Sequence, residues 1–304
     1  SGVAHGNSAS AFRGMIVAAI RIVGKVKDKL FLDDRWMLGL GNRTEFIERG
    51  TSILKPVVAP GGFFWADPFI ATHNGKLFAF VEELPLRTGK GHLSCIPLDE
   101  SGSPGKAVKI LEKPYHLSYP NVFMMDGRWY MIPESSEHLT VDLYESEEFP
   151  FHWTHRKTLL SGIRAFDSTL LRKDGKIWLF CTVCRHKAAS PDDDLHIYYT
   201  DDLLNGDWTP HRLNPVKSDP YGARPAGAFW ETDGEIYRPA QRGVPAYGSA
   251  MVINKITTLN ELEFSETTIQ ILKPGNGFSA MHTLNGDKEQ VIVDLIPKRF
   301  RSLL

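Results

Sequence analysis

Trp65-Ala66-Asp67-Pro68-Phe69 leads, eight residues after Asp67, to Gly75 and the apolar run Lys76-Leu77-Phe78-Ala79-Phe80. The same frame returns at Tyr119 with Gly127 and Arg128-Trp129-Tyr130-Met131-Ile132, and at Asp167 with Gly175 and Lys176-Ile177-Trp178-Leu179-Phe180. It returns again at Ala226 with Gly234 and Glu235-Ile236-Tyr237-Arg238, and more weakly at Phe278 with Gly286 and Val291-Ile292-Val293. A period of about fifty residues built around a hairpin reads as a propeller blade. Each frame carries a tight-turn pair: Asn74-Gly75, Asp126-Gly127, Asp174-Gly175, Asp233-Gly234 and Asn285-Gly286. Such pairs favour the positive φ angles of type I′ hairpins. The runs that follow are apolar at nearly every position, as strands buried between neighbouring blades must be.

The fold expected is all-β, a five-bladed β-propeller over residues 35–304, preceded by a short N-terminal helix within residues 1–34. Blade one covers residues 67–111, blade two 119–160, blade three 167–213 and blade four 226–272. Blade five has an inner hairpin at 279–296, and the chain then stops. Its outer strands are expected from residues 35–40 and 46–54, which have no hairpin before them. The N-terminal strands would then close the ring and remove exposed sheet edges.

The 304 residues are 42% hydrophobic and carry 35 basic against 36 acidic side chains. This balance gives no basic surplus to recruit nucleic acid. Seven Trp, nine Tyr and seventeen Phe serve β-sheet cores as readily as sugar-binding surfaces. Cys95, Cys181 and Cys184 make no disulfide framework. The Cys181/Cys184 spacing lacks the second pair that a zinc site needs. The low cysteine count favours a reducing compartment, so the expected location is cytoplasmic. Residues 12–30, with Arg13, Arg21, Lys25, Lys27 and Lys29, read as a basic amphipathic helix that packs on the propeller, touches an anionic membrane or joins a preceding domain. Its apolar core is far shorter than the ~20 residues a membrane span requires.

In a propeller the starts of the innermost strands converge on the axis. Here they supply Asp67, Tyr119, Asp167, Arg224 and the region around His282. A second tier, seven residues past each turn glycine, supplies Glu82, Glu134, Thr182 and Gln241 at the same mouth. Cleavage of a glycosidic bond needs an acid for the leaving oxygen and a carboxylate to activate water or attack carbon. Asp67 as base, Glu134 as acid and Asp167 as orienting group or pKa modulator fit that need. Trp65, Glu82, Tyr119, Arg224 and His282 are the expected substrate-binding residues, and Arg224 would hold a negative substituent. Solvated strand starts and rim salt bridges are the competing structural explanation.

Asp67 in blade one, Asp167 in blade three and the five-bladed closure resemble glycoside hydrolase family 43 and related furanosidase propellers. The segments Phe64-Trp65-Ala66-Asp67-Pro68-Phe69, His116-Leu117-Ser118-Tyr119-Pro120, Tyr130-Met131-Ile132-Pro133-Glu134-Ser135 and Asp167-Ser168-Thr169-Leu170 are closer still to one particular group. They resemble the propeller-like N-terminal domain of plant glucosamine inositolphosphorylceramide transferases and its bacterial relatives. Family 43 implies an Asp base, an Asp modulator and a Glu acid, with inversion. The first two fall on Asp67 and Asp167. The acid of that family belongs to blade four, which here opens with Arg224, while Glu231 lies too near its turn. Either Glu134 takes the acid role, or the propeller binds a glycan beside a transferase domain, or it transfers the sugar itself. His282 resembles the blade-five His that borders a central metal in some relatives. That resemblance raises Ca²⁺ in the central channel as the one cofactor to test, with no metal ligand assigned.

Overall fold

A computed structural model describes residues 35–184 and 193–298, and the basic segment 12–30 lies outside the described residues. The described chain is five antiparallel sheets arranged as the blades of a ring. Blade one runs outward from Phe63–His73 through Lys76–Pro85 and His92–Leu98 to Val108–Leu111. Blade two runs from Ser118–Met125 to His152–Ser161, and blade three starts at Ala165–Lys173. Blade four ends on Phe264–Leu272. Apolar side chains from facing sheets fill the wedges between blades, as Phe69, Phe80, Leu117 and Met131 do between blades one and two.

Blade five closes the ring. Its strand Gln290–Pro297 pairs on one side with Phe278–Ala280 and Leu284–Gly286, and on the other with the N-terminal strand Met37–Asn42. Lys55–Val57 forms the outer edge. The expected strand over 46–54 is instead a helix, Arg43–Arg49, and a 3₁₀ turn, Gly50–Ile53. Local chemistry explains the difference. The Asn42 side chain caps the helix by accepting the Glu45 N–H at 3.1 Å, Glu45 lies in the first turn and Arg49 in the last, and Gly50 ends it at φ 65°. Phe46 turns into the core against blade five.

Four turn pairs have the left-handed backbone that the sequence pattern requires: Asn74 49° and Gly75 72°, Asp126 50° and Gly127 79°, Asp174 52° and Gly175 76°, Asp233 54° and Gly234 76°. The fifth does not. Asn285 and Gly286 lie in a strand, and the hairpin turns at Lys288-Glu289, where Asp287 Oδ1 accepts the N–H groups of Glu289 and Gln290. Asn285 is used elsewhere. Its amide donates to Pro68 O at 2.7 Å and its Oδ1 accepts the Ala228 N–H at 2.7 Å, tying blade five to blades one and four.

Candidate active site at the propeller axis

The inner strands of the first three blades each bulge at the same place. Pairing slips between Ala66 and Phe69, between Ser118 and Asn121, and between Phe166 and Thr169. The first residue of each bulge is left-handed: Asp67 at φ 49°, Tyr119 at 43° and Asp167 at 53°. A bulge re-aims the side chain it carries, and non-glycine residues in this region cost about 1–3 kcal/mol each. Three such residues at equivalent positions turn two carboxylates and a phenol toward the axis.

Tyr119 serves the floor. Its hydroxyl meets Thr169 Oγ1 at 2.8 Å, while the Asn121 amide donates to Ser168 O at 3.0 Å and Leu284 N–H donates to Ala226 O at 2.7 Å. Gly227 is required there, since a Cβ would sit 2.0 Å from Leu284 O. Polar cross-links between blades thus cross the axis beneath the mouth.

Two carboxylate clusters lie above that floor. In the first, Asp67 Oδ1 accepts the Thr283 hydroxyl at 2.8 Å and Oδ2 accepts the Tyr119 N–H at 3.2 Å. The Asp67 N–H donates to Asp294 Oδ2 at 3.0 Å. Asp294 also accepts the N–H groups of His282 and Thr283, and its Oδ2 is 2.5 Å from His282 Nδ1. Burial pushes the Asp67 carboxyl up to about 7, with His282 opposing and Asp167, Glu82 and Asp294 assisting. Burial opposes charge on His282, but the Asp294 carboxylate outweighs it and raises the imidazole to about 9. The His282 ring stacks on Trp36 at 4.1 Å and 22°.

In the second cluster, Asp167 Oδ2 accepts Arg224 Nε at 2.6 Å and Gln241 Nε2 at 2.7 Å. Ser136 Oγ donates to Glu134 Oε1 at 2.9 Å, and Arg224 Nη2 lies 3.9 Å from Glu134 Oε2. Burial and the Asp167 charge drive the Glu134 carboxyl well above the usual carboxylate range, against Arg224.

Glu82 faces the mouth, with Oε1 3.2 Å from His116 Nε2, whereas the adjacent Glu83 turns the other way. Glu83 is buried and accepts Trp65 Nε1 and Ser94 Oγ, each at 2.9 Å, and pairs with His92. Trp65 is 2% exposed and packs with Leu38, Val81 and Ile96 between blades five and one. The structure thus gathers Asp67, Asp167, Glu134, Glu82, Arg224 and His282 at one mouth. It places Trp65 in the core and Tyr119 in the floor, because the strand's alternation takes the Trp65 side chain into an inter-blade wedge.

Asp294 was not singled out in the sequence. Ala280 pairs with Ile296 as Ala66 pairs with Glu82, so Asp294 lies two residues nearer the turn than the second-tier slot. A lone acid inside Val291-Ile292-Val293-Asp294-Leu295 was the available signal, since charges enter such strands only with partners.

Ligand atoms of Asp67, His282 and Asp294 lie within 4.8 Å of one another. This set does not fit Ca²⁺, which takes about 6–8 oxygen ligands. One donor is a nitrogen, and each oxygen of the two carboxylates already accepts a protein donor.

Residues 54–292 match the family described as glucosamine inositolphosphorylceramide transferase 1, N-terminal. The chain belongs to this family. It is 31% identical over 262 residues to the protein of that name from Oryza sativa subsp. japonica, covering 80% of this chain and 35% of that one. With its namesake from Arabidopsis thaliana the identity is 32% over 228 residues, covering 71% and 30%. The chain therefore spans about a third of the length of these curated relatives. Among solved structures, it superposes on the catalytic domain of the Coprinopsis cinerea family 62 α-L-arabinofuranosidase with a TM-score of 0.56 at 14% identity, covering 80% of this chain and 95% of that one. It superposes on a family 117 glycoside hydrolase of Zobellia galactanivorans with a TM-score of 0.54 at 12% identity, covering 78% and 85%. These structures share its five-bladed fold.

Proposed function

We propose that the propeller of this transferase-family chain acts at a glycosidic bond, with Glu134 as general acid and Asp67 as general base. The observation that carries this reading is the grouping of Glu134, whose carboxyl burial and the Asp167 charge raise, with Asp167 around Arg224 on one side of the mouth, and a second carboxyl near pH 7 on the other. A buried acid whose proton is retained at neutrality can deliver it to a leaving oxygen. Asp67, once ionised, can take a proton from water or from an acceptor hydroxyl. Water gives hydrolysis and an acceptor sugar gives transfer. Arg224 and Gln241 hold Asp167 in place, so that Asp167 orients Glu134 and keeps its pKa high. The sugar-containing substrate is supported by the names of the family relatives and by the fold shared with glycoside hydrolases.

The second reading is a propeller that binds a glycan beside a separate transferase domain. It is favoured by the donors that already occupy Asp67 and Asp294. The two are separated with a panel of aryl glycosides, furanosidic and pyranosidic, assayed with and without acceptor sugars. Asp67→Asn and Glu134→Gln each lower turnover by about 10²–10⁴-fold. The ascending limb of the pH–rate profile lies near pH 7, where Asp67 ionises. Asp167→Asn removes a neighbouring negative charge and moves the descending limb to lower pH. Binding of glycan without turnover in the unmodified protein, or full turnover in both variants, overturns the catalytic reading.

A further inference from the structure

Tyr247 has no part in the acid–base scheme, yet the fold holds it over the same mouth. Its loop, residues 243–249, follows the second strand of blade four and is tied down at both ends. Gly243 N–H donates to Pro220 O at 2.9 Å, and Ser249 Oγ donates to Arg242 O at 3.1 Å and Val244 O at 3.2 Å. Met281 N–H donates to Gly248 O at 2.9 Å, which fastens the loop to blade five. Gly248 has φ 71°, and a Cβ there would lie 2.9 Å from Ala280 Cβ, so the close approach needs glycine.

The loop sets the Tyr247 ring edge-on to His282 at 5.0 Å and 71°, and to Trp36 at 6.2 Å and 81°. The Arg224 guanidinium lies 5.7 Å from the Tyr247 ring centre and 5.5 Å from that of Phe166. These contacts fix the ring, but 46% of Tyr247 remains exposed. A half-exposed aromatic held in this way offers an apolar surface at low entropic cost. A second, independent feature lies close by. Gln241 Nε2 donates to Asp167 Oδ2 and Pro225 O, which fixes the orientation of the amide, and its buried Oε1 has no partner among the described residues. Thr182 Oγ1, also buried, has none among the described residues. Unpaired buried acceptors are rare and call for a ligand group or a bound water.

We propose that Tyr247 and Trp36 form a ring-stacking wall at the mouth, and that the occupant is a neutral sugar ring in the pyranose form. The Tyr247 ring takes the C–H face of the sugar, Trp36 stands nearly perpendicular to it at the side, and Gln241 Oε1 takes a hydroxyl or a water held by that hydroxyl. Charge selects the neutral ring. The cations described at the mouth are each matched to a carboxylate there, Arg224 to Asp167, His282 to Asp294 and His116 to Glu82, so a uronate finds its counter-charges already engaged.

This inference rests on the mouth being a glycan site, and the experiment separates the two. Saturation-transfer NMR is run with the methyl pyranosides of glucose, galactose and mannose and with methyl glucuronide, on the unmodified protein, Tyr247→Phe, Tyr247→Leu and Asp67→Asn. A neutral pyranoside is expected to bind, with saturation strongest on the C–H protons of one face. Tyr247→Phe stays within about threefold, while Tyr247→Leu, which keeps apolar bulk but no ring, weakens binding by about tenfold at unchanged melting temperature. Equal binding by Tyr247→Leu, preference for the glucuronide, or no neutral pyranoside bound by the unmodified protein overturns the wall. Loss of turnover in Asp67→Asn with unchanged binding in Tyr247→Leu sinks the wall alone. Weakened binding in Tyr247→Leu with full turnover in Asp67→Asn and Glu134→Gln sinks the catalytic reading alone.

Discussion

Tyr119 is 0% exposed and left-handed at φ 43°, a conformation that costs a bulky residue more than it costs Asp67 or Asp167. The cost is offset because its hydroxyl reaches Thr169 and its N–H reaches Asp67, so one residue ties the floor to the acidic cluster. The same cluster makes stability depend on pH. Asp67 rises from its ordinary 3.8 to about 7 in the folded protein, so stability falls as pH climbs from 3.8 to about 7 and this contribution levels off above that. His282 rises from 6.5 to about 9, so the stability from its pairing is complete below 6.5 and lost as pH rises through 9. Both act in one direction. Calorimetric melting temperature should fall steadily between pH 6.5 and 9, and His282→Gln should flatten that fall while lowering the melt at acidic pH. A melting temperature that rises over this window contradicts the assignment.

Among the elements, the strand Glu235–Arg242 does more than pair with its neighbours. Arg238, 1% exposed, grips both oxygens of Glu266 at 2.8 and 2.6 Å, and donates to Ala223 O at 3.0 Å and Gly222 O at 2.7 Å. It thereby fixes the backbone immediately before Arg224, which fixes Asp167. Desolvation opposes charge on Glu266, but Arg238 prevails and lowers its carboxyl below the ordinary value. Arg238→Met leaves the buried Glu266 with Lys217, at 2.9 Å, as its remaining cation and should lower unfolding free energy by roughly 1.5–3 kcal/mol. The double variant with Glu266→Met should recover most of the loss, as read by urea denaturation. If the single and double variants lose equally, the ion pair is not the source. At this scale the hairpins were legible because Asn-Gly and Asp-Gly act locally. Asn285-Gly286 misled because its side chain is spent on Pro68 and Ala228, contacts 217 and 57 residues away.

For the whole ring, closure rests on Met37–Asn42 pairing with Gln290–Pro297, residues more than two hundred apart in sequence. Leu38 and Leu40 fill the wedge toward blade one, while Met37 and Phe46 pack on blade five. Removing residues 36–57 deletes both outer strands of blade five and opens the sheet edge along Val291, Val293 and Leu295. The shortened chain should lose its cooperative melt, and circular dichroism against temperature checks this. An unchanged sharp transition would show that the ring does not depend on the N-terminal strands.

What the sequence alone determined is the number of blades, four of the five turns, the N-terminal closure and the meeting of Asp67, Asp167 and Glu134 near the axis. These follow from short-range periodicity and from the φ preferences of adjacent residues, which act within a few positions. The tertiary structure alone decided that Trp65 is core and Tyr119 floor, that Asp294 anchors His282, and that Tyr247 overhangs the mouth. Each of these depends on which blade faces which and on where a bulge shifts the register by one residue. Burial does the rest: desolvation, with the Asp167 charge beside it, raises the Glu134 carboxyl, and that desolvation exists only once five blades have met.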